Sequence, residues 1–190
     1  GGVGWTKVDC IRTTKMAIRL LRSYGIAADY VILSVIAANK PLGAYLREHN
    51  KSIHDLSAEE VRGIEGAKAF RMGRLSTTEA QHGQNGWRGH MAVIVRDDIL
   101  LDLTIDSVNN SQDNITSVKP MWLQLDPDLI QDLKAGGGEL WVNPSGGEMI
   151  FYRADPDNTG CLETQAWTAW YDSHDAIIEM ARRQFKAWRN

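Results

Sequence analysis

Three side chains that can share an acyl-transfer reaction stand far apart in the chain: Cys10, His90 and Asp102. In such a reaction a thiolate attacks a carbonyl carbon. An imidazole within hydrogen-bond reach takes and returns the proton, and a carboxylate fixes the tautomer of the imidazole. Cys10 opens a predicted helix, where unpaired N–H groups and the positive end of the helix dipole favour thiolate over thiol. His90 begins the apolar run "HMAVIV" and Asp102 is a lone carboxylate within "ILLDLTID". Asp106, on the same strand face, is the alternative acid, and His82, in a polar glycine-studded stretch, the alternative base.

The elements that must bring these residues together can be read from periodicity. Arg12, Lys15, Arg19 and Arg22 draw one wet stripe along a helix over 10–24, with Asp9 as N-cap and Gly25 as its stop. Cys10, Thr14, Ala17 and Leu21 fall on the opposite side and face protein. "DYVILSVIAA" (29–38) is rich in β-branched residues and reads as a buried strand. "HMAVIV" and "ILLDLTID" form a hairpin. If its turn is Arg96 to Asp98, residue 95 pairs with 99, and His90 and Asp102 become diagonal neighbours on one face, about 7–8 Å apart at the backbone. A two-residue turn would put Asp102 on the other face, so one residue of register decides the site.

The remaining chain supplies a frame. Pro41 opens a short helix through His49, and Ser57 and Glu60 form a capping box for a helix expected to reach about Met72. Residues 73–89 are polar and without period. Asp126-Pro127 starts a helix that stops near Gly136. "ELWVNPSGGEMIFYR" is a second hairpin, and two helices follow, one carrying Trp167 and Trp170 and one over about 174–188 with Ile177, Ala181, Phe185 and Trp188 as its docked stripe. A helix first, interleaved strands and helices next, and antiparallel hairpins last predict an α+β domain over 1–190, its antiparallel sheet packed on the helix that carries the cysteine.

Composition excludes some classes. The 190 residues carry 21 Lys and Arg against 24 Asp and Glu, a net charge of −3, so charge alone favours neither nucleic acid nor a membrane surface as partner. No run of about 18 apolar residues is present, and the opening "GGVGWTKVD" lacks the pattern of a signal peptide. Two cysteines, Cys10 and Cys161, are too few for a disulfide framework and fit a reducing cytoplasm, although a bridge between them would remove the nucleophile. His49 and His54 lack a third metal ligand nearby, and the glycine-rich stretches lack the context of a phosphate loop. Neither a metal nor an organic cofactor is expected.

The order of a cysteine at a helix start, then histidine and aspartate on successive strands, resembles the transglutaminase-like proteins and arylamine N-acetyltransferases of the papain-like class. The resemblance lies in "DCIRTTKMAIRLLRSYGIAA" and "GHMAVIVRDDILLDLTID". It implies a papain-like, transglutaminase-core fold with Cys10 as nucleophile, His90 as general base and acid, and Asp102 as orienting acid. The approach "GWTKVDC" lacks the glycine-rich, arginine-containing sequence of the acetyltransferase branch. The implied activity is attack on a peptide, protein or small amide substrate through an acyl-thioenzyme, with hydrolysis favoured over transfer to an amine. Trp5, or backbone N–H groups at Cys10, are candidate oxyanion donors. The alternative is a binding or scaffold protein on the same fold, with Cys10 structural.

Overall fold

The computed structural model describes residues 10–74, 80, 82–83, 86–145, 147–169 and 172–189. Trp5, Asp9, Trp170 and Tyr171 lie outside them, as do 75–79, 81, 84 and 85 and the side chains of His82, Phe185 and Trp188. The fold is α+β with a curled antiparallel sheet.

The sheet is organised around β1 (Ala28–Ala38). Its odd-numbered residues Val31, Leu33, Val35 and Ala37 enter the main core. On the other face, Ala28 and Ile32 pack against α1 (Cys10–Ser23), while Ala38 packs against α2 (Lys40–Glu48). Along one edge β1 pairs first with β5 (His90–Val95) and then with β2 (Ala69–Met72); along the other it pairs with β9 (Glu148–Ala154). Outward from β5 come β6 (Ile99–Asp102) and β7 (Met121–Gln124), and outward from β9 comes β8 (Glu139–Ser145). A short hairpin of β3 (His82–Gly83) and β4 (Gly86–Trp87) precedes β5.

Several helix ends follow the sequence. Gly25 takes φ +72, and the N–H of Ile26 returns to the carbonyl of Leu21, closing α1. Asp126 caps α4 (Pro127–Ala135), which stops at Gly136 with φ +90. The Ser57/Glu60 capping box is present, but α3 (Ala58–Gly63) ends well before the expected Met72. Gly66 turns the chain at φ +69. Asn39 then ties Lys68 to the start of α2, accepting from its N–H at 3.0 Å and donating its own N–H to the Lys68 carbonyl at 3.0 Å. Residues 69–72 are thereby delivered to β1 as a strand.

After Thr159–Glu163, a 3₁₀ turn, come α5 (Gln165–Thr168) and α6 (Asp172–Arg189). α6 lies against α1, with Arg19 and Asp175 at 3.0 Å. The expected stripe is corrected at Ile177, which is 46% exposed; among the described side chains of α6, His174 and Ile178 are the buried ones. Among the described residues no helix is long and apolar enough to cross a membrane.

Candidate active site

Register decides the site. Val95 pairs with Ile99 and Val93 with Leu101, the three-residue alternative. The turn holds Arg96 and Asp97 at φ +53 and +58, and the Asp98 N–H bonds the Val95 carbonyl at 3.2 Å. His90 and Asp102 therefore share a face, and the imidazole Nε2 donates to Asp102 Oδ2 at 2.8 Å. Both side chains are completely buried.

The strand expected over 99–106 ends at Asp102. Its Oδ1 accepts the N–H of Thr104 at 3.1 Å, a local turn that pulls the chain out of the sheet and into a 3₁₀ turn over Ile105–Val108. Asp106 falls on that turn and not on the face of His90. A third donor reaches Asp102 from far along the chain: the hydroxyl of Tyr152, on β9, at 3.0 Å from Oδ2. Three donors thus satisfy a carboxylate with no access to water, which is the condition for burying it. Burial, and then the Asp102 charge, push the Tyr152 phenol well above its ordinary range, so it acts as a donor only.

His90 is the first residue of β5 and the partner of Leu33 on β1, and Cys10, at the start of α1, comes within reach of its ring. Burial alone would depress the imidazole. The Asp102 charge and hydrogen bond, reinforced by hydrogen bonding and charge from Cys10, outweigh it, and the pKa is pushed up to about 10. With Nε2 committed to Asp102, Nδ1 is the nitrogen left for proton exchange. It is buried, and Cys10 approaches the ring without giving Nδ1 a well-directed hydrogen bond.

α1 is held in place by Ile11 and Ile18, which pack on the sheet, and by the Thr14 hydroxyl, which donates to the Met91 carbonyl at 3.1 Å, one residue beyond His90. Cys10 is half-buried and joins a cluster of Ile11, Ile32, Met91 and Cys161, with Trp87 and Trp167 packed against it. Both cysteines are free thiols. Burial and the charge of nearby Cys10 push the Cys161 thiol up to about 12, so it stays protonated and unreactive.

The approach to His90 is fixed by a residue with no local sequence signal, Asn158. It is fully buried; its side-chain oxygen accepts the Trp87 indole N–H at 2.8 Å and its amide donates to the Arg88 carbonyl. Gly89 is required between them, because a Cβ there would lie 2.2 Å from the Trp87 ring. Among the other histidines, His49 contacts the Tyr45 carbonyl and stacks on its ring, and His54 pairs with Glu139. No cluster suited to a metal ion occurs among the described residues.

Compared with protein-family models, with curated proteins and with solved structures, the chain has no match.

Proposed function

We propose that the protein is a cysteine hydrolase of papain-like, transglutaminase-core type that cleaves an amide through an acyl-thioenzyme. The observation that carries this reading is the buried His90–Asp102 pair with Cys10 against the same ring. An imidazolium beside the sulfur favours a thiolate. The sulfur attacks the carbonyl carbon and a C–S bond forms. His90 then gives its proton to the departing amine as the C–N bond breaks. Acylation removes the sulfur's charge, one of the contributions that hold the proton on His90. The ring's proton affinity therefore falls in the state where it must accept a proton from water. Attack of that water on the thioester releases the acid and restores the thiol. Peptide, protein and small amides fit this chemistry, and an amine in place of water would make the same site a transferase.

The second reading, a scaffold, draws on the Asp102 carboxylate, which three donors satisfy and which would also serve as a core strut. Cys10→Ala separates the two: retained fold with lost amide turnover supports catalysis, and a destabilised protein with no turnover to lose supports the scaffold. Iodoacetamide labelling provides a substrate-free check. At pH 6 Cys10 is expected to react on the order of tenfold faster than free cysteine; a rate that follows an ordinary thiol at every pH overturns the enzyme reading.

A further inference from the structure

The sheet holds His90 from its downstream side. The residue opens β5 opposite Leu33, and the ladder with β1 runs from there to Val95. Upstream, Arg88 and Gly89 belong to no strand, so the place of the His90 backbone depends on what fastens the segment before it. Asn158, 70 residues from Arg88, does so. Its side-chain amide donates to the Arg88 carbonyl, and its side-chain oxygen accepts the Trp87 indole N–H at 2.8 Å. Its main-chain carbonyl accepts the same indole N–H at 3.1 Å, and the Cys161 sulfur lies 3.9 Å from that carbonyl. The Asn158 N–H is tied in turn to the Asp155 carbonyl at 3.0 Å. The residue is fully buried, so its amide has no water to turn to if these partners are lost.

What Asn158 holds bears on the sulfur and the imidazole together. Trp87 packs against the cluster of Ile11, Ile32, Met91 and Cys161 that Cys10 also joins. The indole lies over Gly89 as well, where a Cβ would stand 2.2 Å from the ring, so the peptide link into His90 runs beneath a plate that borders the Cys10 cluster. The contact between the two reacting groups has little slack: Cys10 reaches the ring, yet Nδ1 has no well-directed hydrogen bond. Attraction between a thiolate and an imidazolium falls with their separation and with water between them. A clamp on the ring's backbone and on the wall beside the sulfur therefore governs how far the ion pair forms.

We propose that Asn158 is a positioning residue for Cys10: by holding Trp87 and the Arg88 carbonyl it keeps the His90 ring against the sulfur and keeps water from between them. This rests on the reading of Cys10 as a nucleophile paired with His90. Asn158 touches neither reacting group and acts through Trp87 and Arg88. Asparagine suits the place because one short side chain offers both an acceptor and a donor; an aspartate would lack the donor for the Arg88 carbonyl.

Iodoacetamide labelling of Cys10 at pH 6 and pH 9, located by peptide mapping, tests the assignment. At pH 9 an ordinary thiol is already largely ionised, so the pH 6 rate is the one that depends on the imidazolium. In Asn158→Ala the pH 6 rate is expected to fall on the order of tenfold, towards that of free cysteine, with the pH 9 rate within about twofold of the parent. Trp87→Phe keeps a ring and removes the indole N–H, and should lower the pH 6 rate about threefold. The double variant should be no slower than Asn158→Ala, because the two residues act through one shared contact. Leu46→Ala, in the separate core cluster beneath α2, is the control: it should lower stability in urea and leave both rates at parent values. An unchanged pH 6 rate in Asn158→Ala, or an equal fall in Leu46→Ala, overturns the positioning role. If Asn158→Ala does not fold, Trp87→Phe decides, and parent rates at both pH values overturn the role. A parent Cys10 that follows an ordinary thiol at both pH values removes the nucleophile and the positioning role together. A parent that reacts fast at pH 6, with Asn158→Ala unaffected, removes the positioning role alone.

Discussion

Two histidine–carboxylate pairs in this molecule have the same N···O distance, 2.8 Å, and opposite surroundings. His90 and Asp102 are 1% and 0% exposed in their side chains, His54 and Glu139 32% and 42%. At the surface, water already solvates both partners and screens them, so such a pair contributes about 0–1 kcal/mol. In the interior neither partner has water to fall back on. Each is then held by the other and by the rest of its network, here Tyr152 and Thr104 for the carboxylate and Cys10 for the ring. Contact geometry is therefore a poor guide to function; the environment that makes a charge costly to bury is what gives a proton a defined place and direction of transfer.

The sharpest way to break the contrast is to remove one carboxylate at a time. Asp102→Ala leaves a buried imidazole, a buried phenol and a backbone N–H without their acceptor, and should cost roughly 3–5 kcal/mol in urea unfolding, together with the reactivity of Cys10. An Asp102→Ala protein as stable as the parent would show that the network is not closed to water. The pH dependence gives the next largest difference. The His90 pKa is raised from 6.5 to about 10 on folding, so its contribution to stability is fully present below about pH 6.5 and is lost as pH rises through about 10. Unfolding free energy should decline over that window, and His90→Gln should flatten the decline. On the proposed mechanism the same alkaline limb should appear in the labelling rate of Cys10, because the His90 imidazolium is lost there.

The hairpin was legible because side-chain parity on a strand is strict: "HMAVIV", a charged turn and "ILLD" admit two registers, and only one joins His90 to Asp102. The helix carrying Cys10 was legible from its charged stripe and from Gly25. Tyr152 was not, because it is 50 residues from Asp102 and its pattern "MIFYRA" is that of any buried strand. Asn158 and the meeting of Arg71, Arg74 and Arg153 were hidden for the same reason, since those arginines come together only once β2 and β9 have both paired with β1. Two extrapolations of length failed, a helix to Met72 and a strand to Asp106: the first stopped at Gly63, where the chain turns extended at Ile64, and the second at Asp102, whose carboxylate binds the Thr104 N–H. Periodicity names the face of an element; its length is set by what the chain meets next.

Tyr152→Phe probes the buried network more gently. It removes one of the three donors to Asp102 and keeps the ring that fills the core, so the expected loss is about 1.5–3 kcal/mol, the range for a hydrogen bond to a charged group. Folding should be retained and Cys10 labelling slowed. A neutral effect on both would mean that His90 and Thr104 alone satisfy the carboxylate.

The smallest effect belongs to the exposed pair, and it sharpens the comparison. Glu139→Gln should change unfolding free energy by less than about 1 kcal/mol, because His54 exchanges its partner for water. A loss approaching that of Asp102→Ala would mean that water does not replace the carboxylate at this partly exposed pair.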